Sequence, residues 1–544
     1  MYIYIFLLVS ILFCLIFKSK RYLHMLQQNL YNENNRYFKW YFKNLKELFD
    51  LDLIPVLISL FLYIKESGPN ALKCATSCNP TAKISIIIIS IIYIVLGLLW
   101  KKRLKSYQNK KPLVITARVK RLIITTFILY ILPIVLLMFN VNISYYLIIL
   151  ILTIMVYLNP IIVWIAKVIN TPVEKCVYYY YLTHAKVKLK NMNNLKVIGI
   201  TGSYGKTSSK NILSDILNIK YNTLPSPRNL NTPYGLMITI NNHLDKFNDV
   251  FIAEMGAYKR GEIKQLCDFV HPKYGILTRI GTAHLESFGS EENIIKGKFE
   301  LIESLPSDGF AVLNMDDEKQ VDYDLKNNVK VIWIGIDNED ADVRATNIKC
   351  SNKGTSFDVV FKGDKNKYKF ETKLLGDHSV YNILAGIACG REFGISIEDL
   401  VQAVKTVRTV EHRLELKKLG NFYQIDDAYN SNPVGAESAC KVLGMMPGIK
   451  VVVTPGMIEL GDKEDYYNKE FGKQISKVAD YVVLVGEEKT KPIKKGLESS
   501  GFDKDKIVVY NDVRDAYSFI GGLTNNKKDV YALFENDLPD TYNE

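Results

Sequence analysis

The run Thr201-Gly-Ser-Tyr-Gly-Lys-Thr-Ser208 has the residue types and order needed to hold a polyphosphate. Gly202 and Gly205 let the backbone turn so that its N–H groups converge on phosphate oxygens. Lys206 is placed to reach the terminal phosphates, and Thr207 offers a hydroxyl to Mg²⁺ at a helix N-terminus. Thr201, Ser203, Tyr204 and Ser208 complete the expected cradle. The spacing departs from the strict G-x4-GK[ST] form, since Ile200 stands five residues before Gly205. Context supports the reading: Leu195-Lys-Val-Ile-Gly-Ile200 predicts a strand running into the loop, and Ser209–Asn218 predicts a helix leaving it. A second chemical residue, Glu254, closes the apolar run Val250–Ala253, at the strand end where an α/β sheet presents its ligands.

The elements that must position these residues begin at about residue 194. From there short β-rich runs alternate with amphipathic stretches, the pattern of an α/β architecture with a mostly parallel sheet. The alternation returns after residue 412, with apolar runs at Val451–Thr454, Tyr481–Val485, Lys506–Tyr510 and Val530–Phe534. No internal repeat is visible.

The first third of the chain reads differently. With 544 residues, three or four domains are expected at ~150 residues each. The mean hydropathy of +0.02 is high for a chain that is 23% charged. The apolar excess lies before residue 170, where Ile84–Trp100 and Ile143–Ala166 carry no charge. Five membrane spans are expected, at about 2–17, 51–64, 84–100, 122–139 and 143–166, the second weakened by Pro55 and its short apolar core. Lys18, Lys20 and Arg21, Lys101 to Lys105, Arg118 to Arg121, and Lys167 flank these runs. The positive-inside rule then places the N-terminus outside and residues 167–544 in the cytoplasm, in a multi-pass protein of the cell membrane. The net charge of +12 is thereby read as topology rather than nucleic-acid binding. Residues 35–49 alternate aromatics with lysines, as an interfacial helix does. The eight cysteines are scattered, so a structural metal is not expected. Cys74 and Cys78 fall in an external loop, either as a disulfide or as two thiols.

The phosphate loop resembles that of the Mur ligases, the amide-forming enzymes of peptidoglycan precursor synthesis, and further segments extend the resemblance. These are Phe251-Ile-Ala-Glu-Met-Gly-Ala257, Leu277-Thr-Arg-Ile-Gly-Thr-Ala-His-Leu-Glu-Ser-Phe-Gly289, Lys296-Gly-Lys298, Gly376-Asp-His-Ser-Val-Tyr-Asn382, His412-Arg-Leu-Glu415 and Asp426-Asp-Ala-Tyr-Asn-Ser-Asn-Pro433. They run in family order across 195–490 and are most similar to the branch that adds D-alanyl-D-alanine to a muramoyl-tripeptide. The hydropathy gives a membrane domain at 1–166 and a linker or connecting helix at 167–193, and the resemblance implies a central ATP-binding domain at 194–411 and a Rossmann-like C-terminal domain at 412–544.

It also implies chemistry. A carboxylate is activated by ATP as an acyl phosphate, which an amine then attacks, so the site must hold Mg²⁺ and absorb negative charge. Thr207 and Glu254 resemble the first metal site, and His284 the second. Lys298 matches the lysine that several relatives carry as a carbamate, with Lys296 as competitor. Asn382 resembles the adenine contact, while Arg413 and Asp427 resemble residues that reach phosphate and ribose from the C-terminal domain. Ser379 stands where the family usually has asparagine, which alters local hydrogen bonding there. Met457-Ile-Glu-Leu-Gly461 matches a segment of the third domain, with helix capping an equal reading for Glu459. Nothing in 1–193 resembles the domain that binds the UDP end of the substrate in soluble members. The expected acceptor is therefore a muramoyl peptide, UDP-linked or lipid-linked, and the expected amine is D-alanyl-D-alanine. Alternatives are a membrane ligase for another polymer, in the manner of poly-γ-glutamate synthases, and a non-catalytic scaffold.

Overall fold

The computed structural model describes the chain except residues 1, 30, 32–34, 67–79, 107–111, 139–144, 282–284, 429–430, 459, 461–462, 525–528 and 537–544. Cys74, Cys78, His284 and Glu459 therefore lie outside the described residues. The chain divides into two compact units, residues 1–180 and 181–543.

The first unit is helical: α1 (Tyr2–Gln28), α2 (Arg36–Lys43), α3 (Leu45–Leu48), α4 (Leu53–Glu66), α5 (Pro80–Ser106), α6 (Ala117–Met138), α7 (Tyr145–Tyr157) and the start of α8 (Asn159–Lys190). Its core gathers Leu7, Ile11, Ile89, Tyr93, Trp100 and Val163. Three ion pairs fasten this core: Lys18 to Asp52 at 2.5 Å, Arg21 to Glu47 at 3.2 Å and Arg103 to Asp50 at 2.8 Å. The faces away from it remain apolar and uncovered, with Val9, Leu12, Ile16, Ile124, Phe127 and Leu132 all exposed.

The five-span expectation does not carry over. Among the described residues one helix is long and apolar enough to cross a membrane, Lys83–Lys105 within α5. The expected span 143–166 is broken into α7 and α8, bent by 75°. Asn159-Pro160 sits at the break, because proline supplies no N–H and crowds the preceding turn. The two pieces pass the same test only if counted as one span. The 14 residues of α4 reach roughly 21 Å, short of a ~30 Å hydrocarbon layer. The other two runs are helical but extend into charge: α1 continues through Lys18, Lys20 and Arg21, and α6 opens on Arg118, Lys120 and Arg121. Most of the segment 167–193, expected as a linker or connecting helix, is helical, since α8 continues to Lys190.

The second unit carries two sheets. The larger is built from β1 (Lys196–Thr201), β2 (Thr223–Pro225), β3 (Val250–Glu254), β4 (Tyr274–Leu277), β5 (Phe310–Asn314), β6 (Lys330–Gly335), β7 (Val343–Ser351), β8 (Gly354–Phe361) and β9 (Lys367–Thr372). Their order is β2-β3-β1-β4-β5-β6-β7-β8-β9, parallel as far as β7 and antiparallel beyond. Residues 201–406 also supply α9 (Lys206–Leu217), α10 (Pro233–Asn242), α11 (Glu262–Val270), α12 (Leu285–Phe288), α13 (Glu291–Glu303), α14 (Glu318–Val321), α15 (Asp377–Glu392) and α16 (Ile397–Thr406). Ile198, Ile200, Ile252 and Ile276 pack with Ile212 and Ile216 of α9 and with Ile383 and Ile387 of α15. On the other face α13 comes close over Gly199, where an added Cβ would lie 2.6 Å from Leu301.

The smaller sheet has the order β10-β11-β15-β12-β13-β14, from β10 (Glu415–Leu419), β11 (Phe422–Asp427), β12 (Ile449–Thr454), β13 (Tyr481–Val485), β14 (Ile507–Tyr510) and β15 (Val530–Glu535). Only the β10–β11 pair is antiparallel. Alternation along β12 sends Val452 into a core with Leu443 and Phe471, and Val451 and Val453 into another with Ala516 and Ile520. Helices therefore cover both faces, as a parallel sheet requires: α17 (Pro433–Gly444), α18 (Glu464–Ile475) and α19 (Glu487–Ser499) on one, α20 (Val513–Leu523) on the other.

Candidate active site

The central strand β1 delivers the phosphate loop to the carboxyl edge of the larger sheet, and α9 leaves from it. Gly202 has φ +149° and Gly205 φ +82°, both costly for a residue with a Cβ. At Gly202 a Cβ would also lie 1.9 Å from the Thr278 hydroxyl. Thr278 Oγ1 donates to the Thr201 and Tyr204 carbonyls, and Thr201 Oγ1 donates to Met255 O at 2.9 Å. Ser203 and Tyr204 donate their N–H groups to Arg279 O, and the Ser203 hydroxyl donates to Gly281 O. Ser208 is half-buried on the first turn of α9.

Lys206 folds back over the loop and donates to Gly202 O at 2.7 Å and Ser203 O at 3.2 Å. Its ammonium thus occupies the loop's own carbonyls. Burial pushes its pKa down to about 8, opposed by Glu254 and assisted by Arg413. The Arg413 guanidinium is brought to the loop from the turn before β10, between His412 at φ 59° and Leu414 at φ 45°. Two successive departures from ordinary backbone about one arginine mark a strained turn. His412 Nδ1 meets Asp426 at 2.9 Å, and the Leu414 N–H donates to Asp427 at 3.2 Å, which holds the turn.

Glu254 is 1% exposed at the end of β3. It accepts from Thr207 Oγ1 at 3.1 Å, Asn231 Nδ2 at 3.0 Å and Lys210 Nζ at 2.9 Å. Lys210 also donates to Arg228 O at 2.5 Å, so one buried ammonium ties the carboxylate to the loop 226–232. Sequence reasoning passed over Lys210 and Asn231. The available signal was the lysine four residues after Lys206, one helical turn along the same face. A hydroxyl and a carboxylate are oxygen donors that suit Mg²⁺, which completes its shell with water and substrate phosphate. Among the described residues no group of three or more His, Cys, Asp or Glu forms a metal cluster.

Lys298 and Lys296 separate clearly. Lys296 is on the surface of α13, paired with Glu292. Lys298 is 2% exposed, its Nζ 5.3 Å from the centre of the Phe288 ring. Burial, then the charge of Lys206, pushes its pKa down to about 7.

Asn382 on α15 accepts from Ser209 on α9 at 2.5 Å, joining the two helices that flank the loop. Ser379, in place of the family asparagine, donates its hydroxyl to Leu375 O at 2.9 Å. His378 meets Ser438 at 3.0 Å, and burial with Arg413 nearby pushes its pKa down to about 4. Asp427 ends β11 directly beside Glu535, which ends β15. Burial lifts Asp427 to about 6, and burial plus the charge of Asp427 raises Glu535 well above the carboxylate range. Glu535 accepts from Ser431 at 2.6 Å. Its place here was not visible in the sequence, because strands β11 and β15 become neighbours only through the sheet order.

A nucleotide loop, a strand-end carboxylate and a second α/β sheet that supplies an arginine define an ATP-using ligase. The profile of the Mur ligase middle domain matches residues 200–390, and that of the Mur ligase glutamate ligase domain matches 412–533. The chain belongs to the Mur ligase family and is an ATP-dependent ligase. It is 31% identical over 335 residues to the UDP-N-acetylmuramoyl-tripeptide–D-alanyl-D-alanine ligase of Bacillus subtilis, covering 61% of this chain and 71% of that one. The enzyme of that name from Escherichia coli is 29% identical, covering 54% of this chain and 65% of that one. Among solved structures, MurF from Acinetobacter baumannii superposes with TM-score 0.60 at 26% identity, covering 66% of this chain and 78% of that one. MurF from Thermotoga maritima, in complex with ADP, gives 0.59 at 26% identity, covering 66% and 80%.

Proposed function

We propose that this protein joins D-alanyl-D-alanine to a muramoyl-tripeptide, and that its acceptor is held at the membrane in which residues 1–180 are embedded. The observation that carries the ligase chemistry is the convergence of Lys206, Arg413 and Lys298 beside the Thr207–Glu254 pair. The amine and acceptor follow from the relatives named above. The membrane placement is supported by the apolar exterior of the first unit and by helix Lys83–Lys105. A cytoplasmic second unit accords with the basic residues that flank the apolar runs.

In the reaction, an acceptor carboxylate oxygen attacks the γ-phosphorus of ATP and the bond to the β-phosphate oxygen breaks, releasing ADP. The amine of the dipeptide then attacks the acyl carbon, phosphate leaves, and the amine's proton passes to solvent or to a basic side chain. Lys206 leaves the Gly202 and Ser203 carbonyls for phosphate oxygens, and Arg413 adds a second cation from the other sheet. Mg²⁺ held by Thr207 and Glu254 neutralises phosphate charge when bound. Lys298, whose buried amine has its pKa pushed down to about 7, would on adding CO₂ and losing a proton become a carbamate, an anion suited to hold a second Mg²⁺. His284 belongs with it by motif. ADP and phosphate release by detergent-solubilised protein, given Mg-ATP, bicarbonate, D-alanyl-D-alanine and UDP-muramoyl-tripeptide or its lipid-linked form, tests this reading. Release that needs both substrates and disappears in Lys206→Ala supports it; ATP binding without release under any substrate pair contradicts it.

A further inference from the structure

A cavity of about 550 Å³ lies between α1, α6 and α7 in the first unit. Its walls are mostly hydrocarbon, from Leu12 and Ile16 of α1, Ile123 and Phe127 of α6, and Leu152 and Val156 of α7, with Ser19, Thr126 and Tyr130 as the polar residues between its ends. The lining on α1 runs from Leu8 to Leu23, which at ~1.5 Å per residue is about 22 Å. Leu12, Ile16, Ile123 and Phe127 are all partly exposed, so this is a groove open along one side, long enough for an extended alkyl chain.

The two ends of the groove differ. At one, Leu8 and Ile131 leave it wholly apolar. At the other, Lys20 lines it together with Leu113 and Ile115. Gln27 holds that segment across the end of α1, donating to Val114 O at 2.9 Å and accepting from the Val114 N–H at 3.1 Å. The α6 stripe through Ile123 and Phe127 continues one turn back to Lys120 by helical spacing. The described carboxylates of this unit are already engaged: Asp52 with Lys18, Glu47 with Arg21, Asp50 with Arg103 and Glu174 with Arg121. Among the described residues no carboxylate pairs with Lys20 or Lys120, both exposed. The groove is therefore mostly apolar along its length and cationic at one mouth.

We propose that this groove binds the single hydrocarbon chain of a phosphate-headed membrane lipid, with the phosphate at the mouth carrying Lys20 and Lys120. The inference rests on the membrane placement of the first unit proposed above. An acceptor anchored through a lipid phosphate presents this chemistry, a long chain followed by an anion, so the groove supplies the anchoring site for such a substrate.

The test is native mass spectrometry of the full-length protein in detergent, titrated with hexadecyl phosphate, hexadecanol and the two-chain dipalmitoyl phosphatidate. One hexadecyl phosphate is expected per chain, with hexadecanol and the two-chain lipid each at least tenfold weaker. Lys20→Glu with Lys120→Glu, both at exposed positions, is expected to weaken the phosphate about tenfold and leave hexadecanol unchanged. Ile123→Trp, which fills the slot, is expected to remove binding of both, with retained ADP binding and an unchanged melting profile as the check on folding. Equal affinity for alcohol and phosphate, tighter binding of the two-chain lipid, indifference to either variant, or a lipid-independent dimer closing the groove would each overturn the proposal. None of these readouts needs turnover. A protein that binds hexadecyl phosphate yet ligates only the soluble acceptor keeps the groove and loses the lipid-linked substrate; one that ligates the lipid-linked acceptor with a blocked groove loses the groove alone.

Discussion

Both units bury a lysine–carboxylate pair, Lys18–Asp52 in the first and Lys210–Glu254 in the second, but in different settings. In the first, the Lys18–Asp52 pair is sunk in a helical core, and Asp52 Oδ1, Tyr93 OH and Asn159 Oδ1 are buried without a hydrogen-bond partner. Its outer faces are apolar. In the second, the buried carboxylate Glu254 is engaged by a hydroxyl, an amide and an ammonium at the end of β3, beside the glycine loop. The first arrangement fastens helices whose outer faces are apolar; the second holds polar groups at the head of the glycine loop. Buried charge serves assembly in one unit and chemistry in the other.

This contrast breaks most visibly at Lys206. Lys206→Ala is expected to lower ligation by about 10³-fold, while the protein still partitions into detergent or membrane as before; loss of both properties together would erase the separation. In the first unit Lys18→Met leaves Asp52 buried and unpaired, at a cost of about 3–5 kcal/mol. Thermal unfolding should show a lowered transition for that unit and an unchanged one for the ATP-binding unit. A uniform shift would mean that the two are not energetically separate.

Lys210 sharpens the comparison, because it is a buried ammonium whose partner, Glu254, is the proposed Mg²⁺ ligand. Lys210→Ala is expected to reduce kcat by about 10–10²-fold and to raise the Mg²⁺ concentration for half-maximal rate, with Lys210→Arg recovering part of both. An effect on melting temperature alone would make Lys210 structural. The smallest expected effect is that of pH on Lys298. An amine with pKa about 7 is mostly protonated below that value and mostly neutral above it. Its neutral fraction rises from about 10% at pH 6 to about 90% at pH 8. Only the neutral amine takes up CO₂, so at a fixed, limiting concentration of dissolved CO₂ the rate should rise several-fold across that window. A flat profile would remove the carbamate.

What the sequence made legible was local. Strand, glycine loop and helix are contiguous, so 195–218 read correctly as β1, loop and α9. Each apolar run named after residue 450 became a strand of the smaller sheet. Strand order was not legible, and with it went the Asp427–Glu535 pair, made by the parallel register of β11 and β15 across about a hundred residues of chain. The loop 226–232 was equally hidden, since Asn231 reaches Glu254 only because β2 pairs with β3. In the first unit hydropathy found the apolar segments but not their ends: Asn159-Pro160 was present to be read as a break, and the charge in α1 and α6 shows that helices outlast their apolar cores.

The central claim is that a Mur ligase active site here serves an acceptor kept at a membrane. It is tested most directly by measuring kcat/KM for the full-length protein with UDP-muramoyl-tripeptide and with the lipid-linked tripeptide, side by side at saturating ATP and D-alanyl-D-alanine. The account predicts a clear preference for the lipid-linked form that falls in Ile123→Trp while the rate with the soluble form does not. Equal or better use of the soluble acceptor, unchanged by that substitution, would contradict it.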